Sequence, residues 1–412
     1  AAFTTTPFDV PKMRWRRSTK IRVADEAPMN FNVGNYLKIL RLAASGRPNR
    51  KLFTVRLTTL QVLAGWSVVN SAFQQLDRVL YPDAAKTEIP QPVFITGAAR
   101  SGTTFFHRLL CLDDEHFEHF RFWEIALPSI TQKKLARRGA AFLNRLVPSV
   151  TTAVEAWEQR QFESVQQLHS FGFNKPEEDE LLFLTPFASA TITVLFPCLD
   201  ELQHLVMLDE QPKAERRRLM KFYRECVEAQ LYFHGANRTL LSKNPAFVGK
   251  IQSVAEEFPD AKLIYLLRDP LETIPSVVNL LQTAWRGLGV QEEDILGHTP
   301  AIVQSFVRDY QHAYRVLNEL PEERYAIVLY EDLVAAPEDT VRRVYAELEL
   351  PLSDAFSTRL HAACQRAAER EPKAPHSPET FGIDVDSIEG PLRPMMEALG
   401  IWKPSHEALA ST

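Results

Sequence analysis

Short apolar runs alternate with helical patterns along the chain. Residues 93–96, 239–242, 261–267 and 325–330 are runs of apolar and β-branched side chains, which predict buried strands. Each run is followed by a segment whose apolar residues recur at helical spacing. Strands that alternate with helices form mainly parallel sheets covered on both faces. We therefore predict an α/β fold in which a P-loop-like parallel sheet is flanked by helices.

The remaining segments predict helical additions to this sheet. Residues 1–90 are expected to form a basic arm followed by two or three helices, with a break near 47–49, which act as a cap or a homodimer surface. Residues 111–235 predict a helical insertion that includes one long amphipathic helix over 201–235, a natural place for a substrate-binding lid. The main domain is then expected over 91–400, with a C-terminal tail at 401–412.

Composition narrows the class of protein. Of the 412 residues, 45% are hydrophobic and 24% are charged, which is typical of a globular protein. A net charge of -5 argues against nucleic acid as the main partner. The four cysteines show no spacing typical of a disulfide framework or a zinc site.

The N-terminal half contains one long apolar stretch at 52–80. Because Arg56, Asp77 and Arg78 interrupt it, we expect no transmembrane segment here. With no signal-type apolar core visible, the expected location is cytoplasmic. A membrane anchor removed before residue 1 would instead be consistent with the Golgi lumen.

The segment 92–110, PVFITGAARSGTTFFHRLL, combines a strand, a glycine-bounded turn and the start of a helix. In this layout the backbone N–H groups of a turn and a helix N-terminus converge on an anion. Gly97 and Gly102 have the spacing of a nucleotide P-loop, but the Lys that follows the second glycine in an ATPase is absent. Arg100 inside the loop replaces it, and Thr103 and Thr104 follow. This difference indicates another phosphate donor, used without a metal ion.

Polar residues also end three of the other strands, as Lys243, Arg268 and Tyr330. Ligands of open parallel sheets bind beyond the carboxyl ends of the strands. Together with Arg100, the two cations therefore predict a site for a polyanionic ligand. Ser276 lies eight residues after Arg268, so that both side chains could bind one phosphate.

These motifs resemble those of the sulfotransferases that use 3′-phosphoadenosine 5′-phosphosulfate (PAPS), in particular the tyrosylprotein and bacterial-type branch. Segment 99–104 matches their phosphosulfate loop, with Ala99 where the family usually has Pro, and residues 268–276 match their 3′-phosphate motif. Tyr-Glu-Asp-Leu at 330–333 and the tail at 373–400 are also similar. The resemblance implies that the donor is held by Arg100, Ser101, Gly102, Thr103, Thr104, Arg268, Ser276, Tyr330 and Lys373.

The resemblance also implies catalytic roles. Arg100 and Lys243 would stabilise the charge that develops on the leaving phosphate. Glu124 lies where several branches keep a catalytic glutamate, and its aromatic neighbours predict a raised pKa suited to a general base. His169 is the competing candidate, because the cytosolic branch uses a histidine. His107 and His376 are weaker candidates.

The sequence as a whole predicts a PAPS-dependent sulfotransferase. The sulfonate would move in line to an acceptor hydroxyl and leave adenosine 3′,5′-bisphosphate, with no metal and no covalent enzyme intermediate. The alternatives are a P-loop kinase or NTPase and a non-catalytic nucleotide-binding scaffold. The acceptor is expected to be a small molecule, a lipid or a glycan with a hydroxyl group, and a peptide tyrosine is also left open.

Overall fold

A five-stranded parallel sheet forms the centre of the protein. The computed structural model describes residues 30–44, 50–146, 172–367 and 377–402. The strands occur in the order β2-β3-β1-β4-β5, where the labels follow the chain: β1 Val93–Gly97, β2 Phe117–Glu118, β3 Thr239–Lys243, β4 Lys262–Leu267 and β5 Tyr325–Leu329. All four strand pairings are parallel. The predicted α/β fold is confirmed.

Burial explains why four of these strands were visible in the sequence. Every residue of β1, β3 and β4 is buried, which is why these strands are nearly continuous apolar runs. In β5 buried and half-buried residues alternate. Strand β2 was not predicted, because two residues at the sheet edge give no periodicity to detect.

Helices cover both faces of the sheet and extend beyond it. Within the described residues the α-helices are α1 Val33–Ala44, α2 Arg50–Leu80, α3 Thr103–Leu110, α4 Phe122–Ala126, α5 Ile130–Leu146, α6 Ile192–Leu195, α7 Leu199–Val206, α8 Lys213–His234, α9 Ile251–Glu257, α10 Pro270–Leu288, α11 Glu292–Gly297, α12 Thr299–Asn318, α13 Tyr330–Ala335, α14 Pro337–Glu347, α15 Asp354–Ala367 and α16 Asp386–Ala398. Of the two or three helices predicted before residue 90, the described residues contain α1 and α2.

Two apolar clusters hold the helices against the sheet. One cluster includes Phe94, Tyr223, Phe247 and Trp285. The other cluster includes Phe106 of α3. A third, smaller cluster joins α1 and α2 to the segment 187–205, through Ile39, Leu60, Phe187 and Leu202.

The predicted insertion is helical, but the single helix expected over 201–235 is wrong. Two helices, α7 and α8, are separated by the 3-10 turn Leu208–Glu210. Pro212 forms the N-cap of α8, and proline cannot continue a helix because it has no N–H to donate. Asp209 in the turn accepts hydrogen bonds from the backbone N–H groups of Gln252 (2.9 Å) and Ser253 (2.8 Å), which ties the turn to α9.

Helix α2 contains the apolar stretch in which no transmembrane segment was expected. By length and composition alone, Leu52–Leu80 could cross a bilayer, and 17% of its most apolar window is buried inside the protein. Core helices and signal sequences pass the same test. The interrupting charges are accommodated locally, since Arg56 and Asp77 are both buried. The four cysteines are free.

Candidate active site

The loop between β1 and α3 is shaped by two glycines. A Cβ on Gly97, which has φ +146°, would lie 2.2 Å from the carbonyl oxygen of Leu266 in the neighbouring strand. Gly102 has φ +88°, and a Cβ there would lie 3.1 Å from the Tyr330 ring. Glycine is therefore required at both positions. Helix α3 begins directly after this tight turn. The first N–H groups of α3 have no partner within the helix and point to the carboxyl edge of the sheet.

Strand register brings the predicted cations to this same edge. Ile95 of β1 is paired with Lys243 of β3 on one side and Ile264 of β4 on the other. Lys243 ends β3, and Arg268 directly follows β4. Because the strands are parallel, their carboxyl ends and the loops that follow them lie together.

Arg100, Arg268 and Ser276 are in direct contact. The Arg100 Nε donates to the Ser276 hydroxyl at 3.2 Å, and an Nη of Arg268 donates to the Arg100 carbonyl oxygen at 3.3 Å. The Arg268 guanidinium also lies 4.4 Å from the centre of the Tyr330 ring and pairs with Glu272 at 2.8 Å. The structure thus brings four predicted donor-binding residues together, and it places Tyr330 against a cation.

Lys243 lies at the other end of the loop. Its ammonium forms an ion pair of 2.7 Å with Glu178 and lies 3.5 Å from the Thr104 hydroxyl. The side chain is 1% exposed, and the two residues that it contacts both line the cleft described below. The N-terminus of α3 has a positive electrostatic potential because of the helix dipole, and the buried ammonium beside it makes this potential more positive.

Ser101 does not present its hydroxyl to the cleft. The side chain is buried, and its hydroxyl donates to the Ala98 carbonyl oxygen at 2.6 Å. The hydroxyl therefore stabilises the turn. This corrects the expectation that the Ser101 hydroxyl binds the ligand directly.

A cleft of about 1210 Å³ opens beside the loop. This exceeds the usual volume of a pocket for one small molecule, roughly 300–1,000 Å³, so the cleft has room for two ligands. Its lining includes polar residues of the loop edge, namely Arg100, Thr103, Thr104, Glu178 and Arg268. It also includes the large apolar side chains of Leu181, Val194, Leu199, Leu280, Leu281 and Phe306.

Glu178 is a site residue that the sequence analysis missed. It is the second residue of the acidic run 177–180. The run reaches the cleft because the Glu177 N–H donates to the Phe120 carbonyl oxygen at 3.0 Å and Pro176 forms a β-bridge with Arg121. The only signal in the sequence was four consecutive carboxylates next to an apolar segment, and nothing local connects them to Lys243.

Glu124 occupies a different environment from the one predicted. It is fully buried and is not among the residues that line the cleft. Its carboxylate accepts hydrogen bonds from the Arg121 backbone N–H (2.9 Å), the Gln230 amide (3.0 Å) and His234 (2.8 Å). Burial by itself raises the pKa of Glu124, but His234, Lys133 and Arg121 together lower it to about 2. The predicted raised pKa is therefore wrong, because cationic partners outweigh the aromatic neighbours.

Glu118, Glu124 and His234 bring possible metal-ligand atoms within 4.8 Å of one another, in the part of the chain that the structure describes. However, an Nη of Arg238 lies 2.7 Å from Glu118, and an Nη of Arg121 lies 3.3 Å from Glu124. Guanidinium groups thus already balance these carboxylates. The cluster has the character of a structural network below β2.

The four remaining histidine and lysine candidates have different outcomes. His169, His376 and Lys373 lie outside the described residues. His107 is buried within α3, and burial, together with the charge of Lys243, lowers its pKa well below the usual range. This position keeps His107 out of the cleft.

The fold and the site together define a class of protein that binds a polyanionic ligand. A parallel sheet whose carboxyl edge joins a glycine-bounded loop, a helix N-terminus and three cations is a site for a polyanionic ligand. The chain belongs to the sulfotransferase family, whose model matches residues 92–354.

Relatives agree with this assignment. The chain is 28% identical over 303 residues to the omega-hydroxy-beta-dihydromenaquinone-9 sulfotransferase Stf3 of Mycobacterium bovis and of Mycobacterium tuberculosis. The aligned residues cover 71% of this chain and 72% of each Stf3 protein. A protein-tyrosine sulfotransferase of Drosophila melanogaster is 28% identical over 120 residues, 28% of this chain and 22% of that protein.

Solved structures show the same fold. Sulfotransferase STF9 from Mycobacterium avium superposes with a TM-score of 0.69 at 16% identity, over 91% of this chain and 98% of that one. STF1 from Mycobacterium tuberculosis gives a TM-score of 0.66 at 19% identity, over 87% and 92% of the two chains. Sulfotransferase activity, predicted from the sequence, is thereby confirmed at the level of the family.

Proposed function

We propose that this sulfotransferase takes its sulfonate from PAPS and transfers it in line to the hydroxyl of an apolar, lipid-class acceptor. The observation that carries the proposal is the convergence of Arg100, Lys243 and Arg268 on the N-terminus of α3, beside an apolar cleft. Three cations and a helix N-terminus match the two phosphate-type groups and the sulfonate of this donor.

The residues at the loop have separate tasks in binding the donor. Arg100 and the first N–H groups of α3 would hold the 5′-phosphosulfate, whereas Arg268 and Ser276 would hold the 3′-phosphate. The contact between Arg100 and Ser276 means that the two anionic groups are bound by one connected set of side chains. Tyr330, packed on Arg268, offers a ring face to the adenine.

Lys243 would act on the leaving group. The reaction forms a bond from the acceptor oxygen to sulfur and breaks the bond from sulfur to the bridging phosphate oxygen, on which negative charge grows. A buried ammonium, next to Thr104 and the helix N-terminus, would stabilise such charge.

Glu178 is the carboxylate that we propose as the general base, in place of Glu124. It lines the cleft and contacts Lys243 at 2.7 Å, so it lies within a few ångströms of the place where the sulfonate would move. A donor anion that competes for Lys243 would loosen this pair and leave the carboxylate to accept the proton of the acceptor hydroxyl. Glu124 has all its contacts inside the buried network.

The wall of the cleft supports an apolar acceptor. Leucine, valine and phenylalanine side chains contribute to its lining, and such a surface favours hydrocarbon over a glycan or a charged peptide. The relative Stf3 is a sulfotransferase of omega-hydroxy-beta-dihydromenaquinone-9, a hydroxylated lipid quinone.

The test is transfer of label from PAPS carrying ³⁵S to a set of acceptors: long-chain alcohols, a hydroxylated isoprenoid quinone, a sugar and a tyrosine peptide. We expect transfer to the first two classes. Adenosine 3′,5′-bisphosphate should raise the midpoint of thermal unfolding, and it should do so less in Arg268→Ala. Absence of that stabilisation in the wild type would refute the donor, whereas preferential transfer to the sugar or the peptide would refute the acceptor class.

A further inference from the structure

The N-terminal helices carry most of the exposed apolar surface of the described chain. Sixteen large apolar residues are exposed among all the described residues, and thirteen of these sixteen lie on α1, α2 and α5. Both α1 and α5 pack against α2. We call these thirteen residues the apolar face: Val33, Leu37, Phe53, Val55, Val62, Val68, Val69, Leu76, Val79, Leu80, Leu135, Phe142 and Leu143. A concentration of this kind marks an interaction surface.

Helix α2 is amphipathic in the reverse sense to an ordinary surface helix. Its exposed apolar residues recur every seven positions, at Val55, Val62, Val69 and Leu76. The side that faces the protein carries buried polar residues: Arg56, Ser67, Asn70, Ser71 and Asp77. Surface helices normally bury the apolar stripe and expose the polar one. The apolar stripe of α2 is therefore directed to something other than the body of the protein.

Hydrogen bonds on the polar side attach α2 firmly to the rest of the protein. The Ser67 hydroxyl donates to the Thr185 carbonyl oxygen. Asp77 accepts from the Ile130 N–H at 2.6 Å, and the Gln132 amide donates to Asn70 at 2.8 Å. Leaving these contacts would bury unpaired polar groups in hydrocarbon. Helix α2 is accordingly suited to lie on an apolar surface and not to cross it.

Charge identifies the kind of surface. The helices α1, α2 and α5 together contain eleven Lys and Arg residues but one acidic residue, the buried Asp77. Two of the cations, Arg56 and Lys133, are buried, and Arg78 pairs with Glu225. The whole chain has a net charge of -5, so positive charge is concentrated in these three helices. Two copies that met through this surface would bring like charges together. An anionic lipid surface would instead attract them.

We propose that the apolar face docks on the surface of an anionic membrane. The side chains of the face would enter the boundary between headgroups and acyl chains, and basic residues such as Arg41, Arg138 and Arg145, which are all exposed, would meet the lipid phosphates. The helices would lie in the plane of the interface.

The docking surface is one layer away from the apolar wall of the cleft. Segment 187–205 packs on α1 and α2, and the Asn35 amide donates to the Phe187 carbonyl oxygen at 2.8 Å. The same segment contributes Ala190, Thr191 and Val194 to the cleft. Docking would therefore bring the cleft close to an acceptor dissolved in the bilayer, a consequence that rests on the function proposed above.

Vesicle flotation tests the proposal. The full-length protein is mixed with vesicles of phosphatidylcholine alone, or with about one-third phosphatidylglycerol, without donor or acceptor. We expect the wild type to float with the anionic vesicles and to be released at high salt. The double variant Val62→Glu/Val69→Glu should bind at least about tenfold more weakly, because it places two charges in the apolar face.

A second variant and a control separate the contributions. Arg41→Glu/Arg138→Glu/Arg145→Glu should weaken binding by about 100-fold, since each of the three cations near the surface contributes about fivefold. Leu296→Glu/Leu352→Glu alters two exposed apolar residues outside the apolar face and should leave binding unchanged. All four positions of the two double variants are exposed, so equal circular dichroism and unfolding midpoints are the check that folding is intact.

Three results would overturn the proposal: no flotation of the wild type with anionic vesicles, equal flotation of the Val62→Glu/Val69→Glu variant, or a wild-type dimer that this variant dissociates while neither protein binds vesicles. Because no donor or acceptor is present, failure of the proposed function would not change these results. Conversely, Val62→Glu/Val69→Glu should turn over a short water-soluble alcohol at the wild-type rate. The same variant should lose turnover of a vesicle-borne alcohol to the extent that it loses binding to the vesicles.

Discussion

Glu178 and Glu124 lie in contrasting surroundings. The Glu178 side chain is 31% exposed and pairs with Lys243 at the cleft, whereas Glu124 has no exposed surface and is held by Arg121, Gln230 and His234. A base needs access to the reacting proton, and a carboxylate in a closed network of cations provides structure instead. This contrast gives two predictions.

The first prediction concerns catalysis. Glu178→Gln should lower kcat by about 10²–10⁴-fold, the usual contribution of a general base. The stabilisation by adenosine 3′,5′-bisphosphate should persist, because Arg100 and Arg268 are untouched. Both quantities are measurable by initial rates with labelled PAPS and by thermal unfolding. Full turnover in this variant would exclude Glu178 and leave His169 as the candidate.

The second prediction concerns stability in acid. The folded-state pKa of Glu124, about 2, lies below that of an unfolded glutamate, so its carboxylate stabilises the fold above pH of about 4.5 by up to about 3 kcal/mol. That stability is lost as the pH falls from about 4.5 towards 2. Urea unfolding at pH 7 should therefore show Glu124→Gln to be less stable than the wild type, and the difference should shrink at pH 3.

A constant difference between pH 7 and pH 3 would contradict the network assigned to Glu124. The comparison with Glu178→Gln is the matched control. Glu178 forms one ion pair at the edge of a cleft, so its substitution should change the free energy of unfolding far less.

At the scale of elements, the loop after β1 depends on the absence of a side chain. Gly97 has the backbone of Leu266 in the place where a Cβ would lie, and its φ of +146° is one that other residues rarely adopt. Gly139 in α5 has nothing within 4 Å of its Cβ position. The two glycines therefore give opposite expectations for the same substitution.

Gly97→Ala should destabilise the protein by about 2 kcal/mol or more, because strand β4 has to move, and it should abolish stabilisation by adenosine 3′,5′-bisphosphate. Gly139→Ala should stabilise it by about 0.5–1 kcal/mol, because alanine is the better helix former. Chemical denaturation of the two variants checks both signs. A neutral Gly97→Ala would show that the close approach of β1 and β4 is not required.

At the scale of the whole molecule, positive charge is gathered at two places in an acidic protein. One is the carboxyl edge of the sheet, with Arg100, Lys243 and Arg268. The other is the group of helices α1, α2 and α5. The first suits a soluble polyanion, and the second suits an extended anionic surface.

The charge at the sheet edge predicts how the reaction depends on metal ions. Protein cations and a helix N-terminus can meet the phosphates of the donor, a task that Mg²⁺ performs in ATPases. Transfer from labelled PAPS should therefore continue at an unchanged rate after EDTA treatment, and added Mg²⁺ should give no increase. A rate that falls with EDTA and returns with Mg²⁺ would contradict this and would favour the mechanism of a P-loop kinase.

Local pattern and local chemistry were enough to predict much of the protein. The apolar runs of β1, β3, β4 and β5 are visible because strands buried on both faces require such runs. Gly97, Arg100, Lys243 and Arg268 could be assigned to one edge, since the carboxyl ends of parallel strands are neighbours whatever the details of the packing.

Tertiary structure decided the features that depend on partners distant in the chain. The pKa of Glu124 is set by His234 and Lys133, and Glu178 becomes a site residue only when segment 172–178 packs along 120–121. Likewise, the heptad of Val55, Val62, Val69 and Leu76 was present in the sequence, but an apolar stripe normally faces the core. Only packing showed that it faces outward, because burial and electrostatics depend on what surrounds a residue.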